Sequence, residues 1–317
     1  MGRNHFNVQG ESVIIAGGSK GLGRELAVQL TAQGANVTIV ARTAGPLEDT
    51  REELLKHVQK EDQVIGAASV DLTDASKVES FIASLPTPPS ILFCVAGGTS
   101  DEIGFFADIT SRDIESCMAK NYFAAAYIAH AVFRRWTKEP ASSPGTRHLI
   151  FTASTVAFLG LPGYAAYTPS KAATRALADT LRQEAMLYSS QQEIKIHCSF
   201  PGTIYTEAFY DEQKRKPALL KELEGTTTNE GGLSAARIAE LTIQGLQRGQ
   251  FFVTMDSDTE FVMNNMRGPS PRDSPVRDWI MGFLGSLVYP IYRMKFDRAT
   301  VRYGKALLGK SEEAKSD

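Results

Sequence analysis

The chain has few cysteines and no clustered metal ligands. Its 317 residues include 3 cysteines and 5 histidines, with neither a C-x-x-C pair nor an H-E-x-x-H motif. A small, odd number of cysteines favours a reducing compartment over a disulfide framework. Because metal sites need clustered ligands of these types, the sequence predicts no metal site.

The chain also lacks an excess of charge and a long apolar run. Its formal net charge is -2, which gives no reason to expect nucleic acid as a partner. The first residues lack an apolar signal segment, and they lack the serine or threonine that myristoylation requires at position 6. The apolar segment 279–292 has 14 uncharged residues, whereas a helix that spans a bilayer needs about 20.

Short apolar runs alternate with longer amphipathic ones. The predicted strands are 12–16, 36–41, 63–70, 90–95, 146–153, 193–200 and 250–254. The predicted helices lie near 21–33, 45–60, 74–84, 111–137, 165–188 and 234–248. Such alternation indicates parallel strands joined by right-handed crossovers, and nearly continuous apolar strands need cover on both faces. The sequence therefore predicts an α/β fold of the doubly wound Rossmann type, with a parallel sheet of about seven strands and helices on both faces.

We expect one domain over residues 1–255 and a C-terminal extension over 256–317. No internal repeat or low-complexity tract interrupts the alternation up to about residue 255. The stretch from Tyr122 to Phe133 carries no charge, which fits a helix buried between layers and fits a subunit interface equally well. A homo-oligomer is expected on the second interpretation.

A glycine-rich turn follows the first predicted strand and leads into the first predicted helix. Glycines allow a tight turn, and they let a pyrophosphate approach the N–H groups at the start of the helix. The strand before the turn and the helix after it are the context that a dinucleotide site requires. The residues of this turn that we expect to bind the cofactor are Gly17, Ser19, Lys20, Gly21, Leu22 and Gly23.

The end of the second strand favours NADPH over NADH. An NAD site usually has an acidic residue there for the ribose hydroxyls, but none occurs between Arg42 and Glu48. Arg42 and Lys20 offer charge-assisted donors to a 2′-phosphate. The alternative interpretation is that both are solvated surface cations.

Two further loops follow the third and fourth strands. Asp71-Leu72 is placed to hydrogen-bond the adenine edge, and Ala96-Gly97 would let the ribose lie close to the backbone. A helix cap and an ordinary loop glycine are the alternatives.

Three residues after the fifth strand form a catalytic pattern. Ser154 ends the strand, Tyr167 follows it by thirteen positions, and Lys171 lies four residues beyond the tyrosine on the same helical face. A ketone needs a proton on oxygen as hydride reaches its carbon, and a phenol can supply that proton. We expect the charge of Lys171 to lower the pKa of Tyr167, and Ser154 to polarise the carbonyl oxygen.

Together these motifs resemble the short-chain dehydrogenase/reductase family over about residues 10–255. Residues 16–23 correspond to the family's TGxxxGxG motif, and Ser154, Tyr167 and Lys171 fall on its catalytic serine, tyrosine and lysine. The resemblance implies a single reductase domain that binds a nicotinamide cofactor.

The same resemblance assigns roles to residues outside these motifs. It implies that Asn121 holds a proton-relay water against the lysine, with an ordinary mid-helix asparagine as the alternative. It places a substrate lid over residues 204–232. It also adds four residues to the cofactor site, namely Pro201, Gly202, Ile204 and Thr206.

Within the family, the glycine loop and the tail segment 288–292 are most similar to fungal reductases of sphingolipid synthesis. This similarity implies NADPH-dependent reduction of the 3-keto group of a long-chain amino ketone, at the cytosolic face of the endoplasmic reticulum membrane. Glu207 or Asp211 in the lid would then meet the ammonium of that substrate. The alternatives are a reductase of a steroid, retinoid or 3-ketoacyl compound, and a non-catalytic sensor that binds NADPH.

The segment 279–292 has aromatic residues at both ends and a basic flank. The cations of that flank are Arg293, Lys295, Arg298, Arg302, Lys305 and Lys310. Such a segment suits peripheral contact with an anionic membrane surface. A segment docked on its own domain, or in an oligomer interface, is the alternative.

Overall fold

A seven-stranded parallel sheet forms the centre of the computed structural model, which describes residues 4–99, 102–139, 145–225 and 231–316. Its strands are β1 (Ser12–Ala16), β2 (Asn36–Ala41), β3 (Ile65–Ser69), β4 (Ile91–Cys94), β5 (Arg147–Thr152), β6 (Ile194–Phe200) and β9 (Phe252–Thr254). Two short strands, β7 (Ile204–Tyr205) and β8 (Leu233–Ser234), pair separately. All seven predicted strands are confirmed.

Eleven α-helices are present in the described part of the chain. They are α1 (Gly21–Ala32), α2 (Ala44–Leu55), α3 (Ala75–Ser84), α4 (Ser111–Met118), α5 (Ala124–Lys138), α6 (Tyr167–Ala185), α7 (Glu207–Arg215), α8 (Ala218–Glu224), α9 (Ala235–Gln247), α10 (Ser257–Met266) and α11 (Pro275–Ser316). The six helices that the sequence predicts are confirmed, but the one over 111–137 is divided by a π-helical turn, Ala119–Phe123.

The strand order is β3-β2-β1-β4-β5-β6-β9, so the direction of winding reverses between β1 and β4. The predicted doubly wound topology is therefore confirmed, and its ligand-binding crevice lies at the carboxyl ends of the strands.

Successive residues of the strands point to opposite faces of the sheet, and each face has its own core. Ile14 belongs to the core under α3, α5 and α6. Val13 and Ile15 belong to the core under α1, α2 and α9. This period of two explains why the strands read as continuous apolar runs in the sequence.

The extension after β9 folds back onto the domain through a buried ion-pair network. Arg267, only 1% exposed, lies 2.8 Å from Asp278 Oδ2 and 3.0 Å from Asp273 Oδ2. Removing one partner of a buried pair costs about 3–5 kcal/mol, so these contacts fix the start of α11 against the end of α10.

The predicted segment 279–292 is the first part of a much longer helix, since α11 has 42 residues and continues through Pro290. Most of its exposed apolar residues share one face of that first part, at positions 279, 280, 283, 284, 287 and 291. Within the described residues, no helix combines the length and apolarity needed to cross a bilayer.

Candidate active site

A cleft of about 1730 Å³ opens at the carboxyl ends of the strands. It brings together most of the residues that the sequence predicts for the site. Those that line it are Gly17, Ser19, Lys20, Gly21, Leu22, Gly23, Ala96, Gly97, Ser154, Tyr167, Lys171, Pro201, Gly202, Ile204 and Thr206. Arg42, Asp71, Leu72 and Asn121 lie outside this lining.

The glycine loop fits a dinucleotide pyrophosphate. Gly17 has a φ of 95°, and a Cβ there would lie 2.4 Å from the backbone nitrogen of Ala96, so no larger residue fits. Lys20 precedes α1 in an extended conformation and makes no side-chain cap. The first-turn N–H groups of α1 therefore face the cleft without a side-chain acceptor, which is the arrangement that binds phosphate groups.

The two predicted partners of a 2′-phosphate are both exposed. Arg42 follows the carboxyl end of β2. Lys20 Nζ lies 3.6 Å from Glu207 Oε2 on α7, and both side chains are more than two-thirds exposed. Neither cation is committed to a buried structural role, so both remain available to a ligand.

Asp71 and Leu72 follow the carboxyl end of β3, the strand that neighbours β2. Asp71 Oδ1 accepts hydrogen bonds from the backbone N–H of Thr73 at 3.0 Å and from its hydroxyl at 2.7 Å. These bonds, with a smaller contribution from the charge of Arg42, hold the pKa of Asp71 below its usual value. Leu72 is buried. The Asp71 carboxylate is thus ionised and held in place by Thr73.

Tyr167 and Lys171 occupy the first turns of α6, as their spacing predicts. Lys171 Nζ lies 5.6 Å from the centroid of the Tyr167 ring, and it donates a hydrogen bond to the carbonyl oxygen of Thr152 at 3.0 Å. Ser154 follows β5 and faces the same cleft. The three side chains converge where β5 ends and α6 begins.

Burial is the largest influence on the pKa values of Tyr167 and Lys171. It raises the pKa of Tyr167, an effect reinforced by the charge of Glu212 and opposed by a hydrogen bond with Ser154. Burial also lowers the pKa of Lys171 to about 8. The structure therefore does not show the lowered pKa of Tyr167 that the sequence predicts, because loss of solvent around the phenol raises it. A phenol that stays protonated is the form able to donate a proton.

Asn121 lies in the π-helical turn and supports the floor of the site. Its amide accepts from the N–H of Gly98 at 2.8 Å and donates to the carbonyl oxygen of Gly98 at 2.9 Å. Gly97, with a φ of 144°, passes so close that a Cβ would lie 2.5 Å from Asn121 Oδ1. Asn121 therefore fixes the backbone after β4.

The loop after β6 passes beside both the glycine loop and the catalytic serine. The carbonyl oxygen of Pro201 accepts from the N–H of Thr155 at 3.2 Å, next to Ser154. Thr206 caps α7, accepting from the N–H of Phe209 at 3.2 Å. A Cβ on Gly21 would lie 3.5 Å from Thr206, so this predicted cofactor residue adjoins the start of α1.

A buried charged group on the lid was not predicted from the sequence. Glu212, Lys216 and Glu224, here called the lid charge cluster, are at most 15% exposed in their side chains. Lys216 Nζ lies 2.6 Å from Glu212 Oε1 and 2.5 Å from Glu224 Oε2. Tyr164 and Thr99 donate hydrogen bonds to the two oxygens of Glu212, at 2.8 and 2.9 Å. In the sequence, only the four-residue spacing of Glu212 and Lys216 could have indicated an ion pair here.

Part of the cleft wall comes from the extension, which contributes apolar side chains, here called the apolar wall, beside polar ones such as Asp256 and Arg293. Phe261 of α10 packs on Tyr289 of α11 with ring centroids 5.6 Å apart, and both line the cleft with Val288 and Phe296. The extension is therefore part of the site, which the sequence did not predict.

Comparisons with known proteins agree with this geometry. Residues 11–217 match the model of a family described as short chain dehydrogenase. A 3-ketodihydrosphingosine reductase of Aspergillus fumigatus is 38% identical over 311 residues, which cover 90% of this chain and 82% of that protein. A PIGF/3-ketodihydrosphingosine reductase fusion protein of Schizosaccharomyces pombe is 35% identical over 302 residues, 95% of this chain. This chain spans only 59% of the fusion protein's length.

A solved structure shares the fold at low sequence identity. It is a short chain dehydrogenase/reductase from Burkholderia phymatum in complex with NAD, with a TM-score of 0.65 at 18% identity. The match covers 80% of this chain and 91% of that chain.

Proposed function

We propose, on the premise that this chain belongs to the short chain dehydrogenase family, that it reduces 3-ketodihydrosphingosine to dihydrosphingosine with NADPH in sphingolipid synthesis. The observation that carries the proposal is the shared cleft. This one cleft is lined by Ser154, Tyr167 and Lys171, by the glycine loop, and by the apolar wall of α10 and α11. Curated relatives that match over most of this chain are named for the same reduction.

The chain's own residues orient the ketone and supply its proton. Ser154 donates a hydrogen bond to the carbonyl oxygen and holds it beside Tyr167. When bound, the cofactor would supply hydride to the carbonyl carbon. Tyr167 breaks its O–H bond and transfers that proton to the carbonyl oxygen, so the C=O double bond becomes a C–O single bond with a new C–H and a new O–H bond, and the phenolate regains a proton from solvent. Lys171 stabilises that phenolate, the one point at which its charge acts directly.

The long alkyl chain of this substrate matches the apolar wall of the cleft. Phe261, Val288, Tyr289 and Phe296 line the same cleft as the catalytic residues. An alkyl chain contributes about 0.8 kcal/mol per buried CH₂ group, so such a wall favours a lipid over a short ketone.

The cations beside the cofactor loop support NADPH as the nicotinamide cofactor. Arg42 and Lys20 lie exposed on the side of the sheet where the adenosine ribose binds in doubly wound folds. No acidic residue stands between Arg42 and Glu48. A guanidinium and an ammonium favour a 2′-phosphate dianion over a pair of hydroxyls.

We also place the protein at the cytosolic face of the endoplasmic reticulum membrane, in peripheral contact through α11. Trp279, Phe283 and Leu287 share one face of this helix and are each more than half exposed. Basic residues follow on the same helix, the combination that binds an anionic lipid surface.

A second copy of the chain is the proposed partner of α5. Phe123 is 40% exposed and stacks on Tyr127 at 5.6 Å, which leaves an aromatic patch on the surface. Phe123→Ala should lower the mass seen in sedimentation equilibrium if the patch is a subunit contact, and an unchanged mass would contradict it.

Oxidation of NADPH with three ketones tests the proposed reaction. We expect turnover of 3-ketodihydrosphingosine, and far slower turnover of a steroid ketone and a 3-ketoacyl thioester. Preferred turnover of either other ketone would assign the chain to another lipophilic substrate. Tight cofactor binding with no turnover of any of the three would indicate a non-catalytic sensor instead.

A further inference from the structure

The lid charge cluster contains more negative than positive charge. Glu212 and Glu224 contribute two carboxylates, and Lys216 contributes the one ammonium that contacts both. All three groups line the cleft. Because charges are expensive to bury without partners, one further cation at this place would complete the pairing.

The pKa of Glu224 is consistent with this deficit. Burial raises it, although contact with Lys216 acts in the opposite direction, and the charge of Glu212 adds to the increase. A raised pKa favours the protonated acid, and a cation bound beside Glu224 would favour the carboxylate instead.

The cluster lies next to the catalytic tyrosine. Tyr164, whose hydroxyl binds Glu212, packs against Tyr167 with ring centroids 5.3 Å apart. The charges of Glu212 and Glu224 both raise the pKa of Tyr167, so both carboxylates act electrostatically on the reacting hydroxyl. A cation bound to the cluster would lie beside the ketone that Tyr167 protonates.

We infer that Glu212 and Glu224 form a subsite for a primary ammonium on the substrate, and so select α-amino ketones over neutral ketones. This inference rests on the proposed reduction of a long-chain amino ketone, in which the ammonium is one carbon from the carbonyl. Each carboxylate oxygen has two acceptor positions, so the contacts with Tyr164, Thr99 and Lys216 leave Glu212 room for another donor.

The chain already shows the chemistry of such a subsite. The ammonium of Lys216 lies between the two carboxylates, 5.4 Å from the ring centroid of Tyr164 and 5.8 Å from that of Phe209. Aromatic faces and carboxylates attract alkylammonium groups.

The carboxylates that the sequence offered for this role are placed differently. The Glu207 side chain is 81% exposed and points towards Lys20, and Asp211 is 60% exposed and pairs with Lys214. An exposed carboxylate is screened by water and gains little from a cation. Glu212 and Glu224 are shielded from solvent, so they should discriminate more strongly between an amino ketone and a neutral ketone.

The test compares two substrates of equal chain length on the enzyme with NADPH bound. One is 3-ketodihydrosphingosine, and the other is its 2-deamino analogue, in which hydrogen replaces the ammonium. A charge-assisted hydrogen bond in a shielded site corresponds to a preference of about 10- to 100-fold in kcat/KM. We expect Glu224→Gln, which leaves Lys216 paired with Glu212, to lower that preference to about 3-fold or less, through KM for the amino ketone.

A neighbouring carboxylate outside the cleft lining provides a matched control. Glu222→Gln on α8 removes equal charge from an exposed position and should keep the wild-type preference. Glu212→Gln should act like Glu224→Gln. If Glu212→Gln fails to fold because Lys216 loses a partner, Glu224→Gln still decides the question.

The outcomes separate the subsite from the proposed reaction. Wild-type turnover of both substrates with equal kcat/KM would overturn the subsite and leave the reduction standing. If Glu224→Gln lowers kcat/KM equally for both substrates, the cluster has only a structural role. If neither substrate is turned over, the proposed reaction fails, and calorimetry of dodecylamine binding to the NADP⁺ complex decides the subsite. Binding weakened by Glu224→Gln would support it, and binding unaffected by that change would overturn it.

Discussion

Lys171 Nζ donates a hydrogen bond to the carbonyl oxygen of Thr152 at 3.0 Å, at the end of β5. This bond holds the ammonium under the ring of Tyr167 in a site where burial lowers the pKa of Lys171 to about 8. The protonated form is the one that stabilises phenolate, and it is lost as the pH rises through about 8.

The rate of ketone reduction should therefore be constant below that pH and fall above it. Lys171→Arg keeps its charge at every pH in this range, so any residual activity should not show the fall. Stopped-flow measurement of hydride transfer between pH 6 and about 9.5 checks this. A wild-type rate that stays level to the top of the range would contradict the role of the ammonium.

Two stacked histidines in the core should make the free energy of unfolding depend on pH. Nδ1 of His148 lies 3.0 Å from Nε2 of His197, whose Nδ1 bonds the carbonyl oxygen of Gln250 at 2.6 Å. Burial lowers the pKa of His197 to about 4 and that of His148 to about 2. Both rings are thus neutral in the folded chain.

Below pH of about 6.5 the unfolded chain binds protons that the folded chain does not, so the free energy of unfolding falls with falling pH. The slope is about 1.4 kcal/mol per pH unit for each histidine. Urea unfolding between pH 5 and 7 measures it, and His148→Gln should make it shallower. His130→Gln, at an exposed position, serves as the control. A slope equal in all three proteins would refute the assignment.

Exchange of Arg42 for aspartate tests the choice of cofactor. The change removes a cation from the ribose end and supplies the carboxylate that an NAD site uses. We expect the ratio of kcat/KM for NADPH to that for NADH to fall by about 100-fold or more, since a charge-assisted bond is lost and a repulsion is gained. Arg51→Asp on α2, where the arginine pairs with Glu48, is the matched control. An unchanged ratio in Arg42→Asp would remove Arg42 from the site.

The apolar face of α11 predicts how the protein meets a membrane. Trp279 and Phe283 stack with ring centroids 6.0 Å apart and are both largely exposed. Replacing both with alanine should weaken binding to anionic vesicles by at least about 10-fold, since each large apolar side chain contributes about 1.5–3 kcal/mol when buried. Sedimentation with vesicles measures this. Leu187→Ala, at an equally exposed position elsewhere, should bind like the wild type, and equal binding by all three proteins would speak against the membrane face.

Local patterns predicted the parts of the site that local geometry creates. Tyr167 and Lys171 share a helical face because of their spacing, and the glycine loop lies between a strand and a helix that are each visible in the sequence. Tyr164 and Glu212 are 48 residues apart and meet only because α7 folds over the cleft. No period or motif encodes such a contact.

The extension illustrates the same limit. The apolar segment 279–292 was visible, but whether it faced a membrane or its own domain depended on tertiary packing. The structure shows that α11 does line the cleft, through Tyr289 and Phe296, while Trp279 and Phe283 stay exposed. The ion pairs of Arg267 that orient the helix join residues from separate elements, which sequence patterns do not pair.

The account depends most directly on the proton held by Tyr167. Single-turnover hydride transfer from NADPH to 3-ketodihydrosphingosine should slow by about 100- to 10,000-fold in Tyr167→Phe, because the donor of the oxygen's proton is lost. NADPH affinity, measured by fluorescence titration, should change by less than about 3-fold. Tyr164→Phe, which keeps Tyr167, should retain far more activity. Hydride transfer at the wild-type rate in Tyr167→Phe would contradict the mechanism.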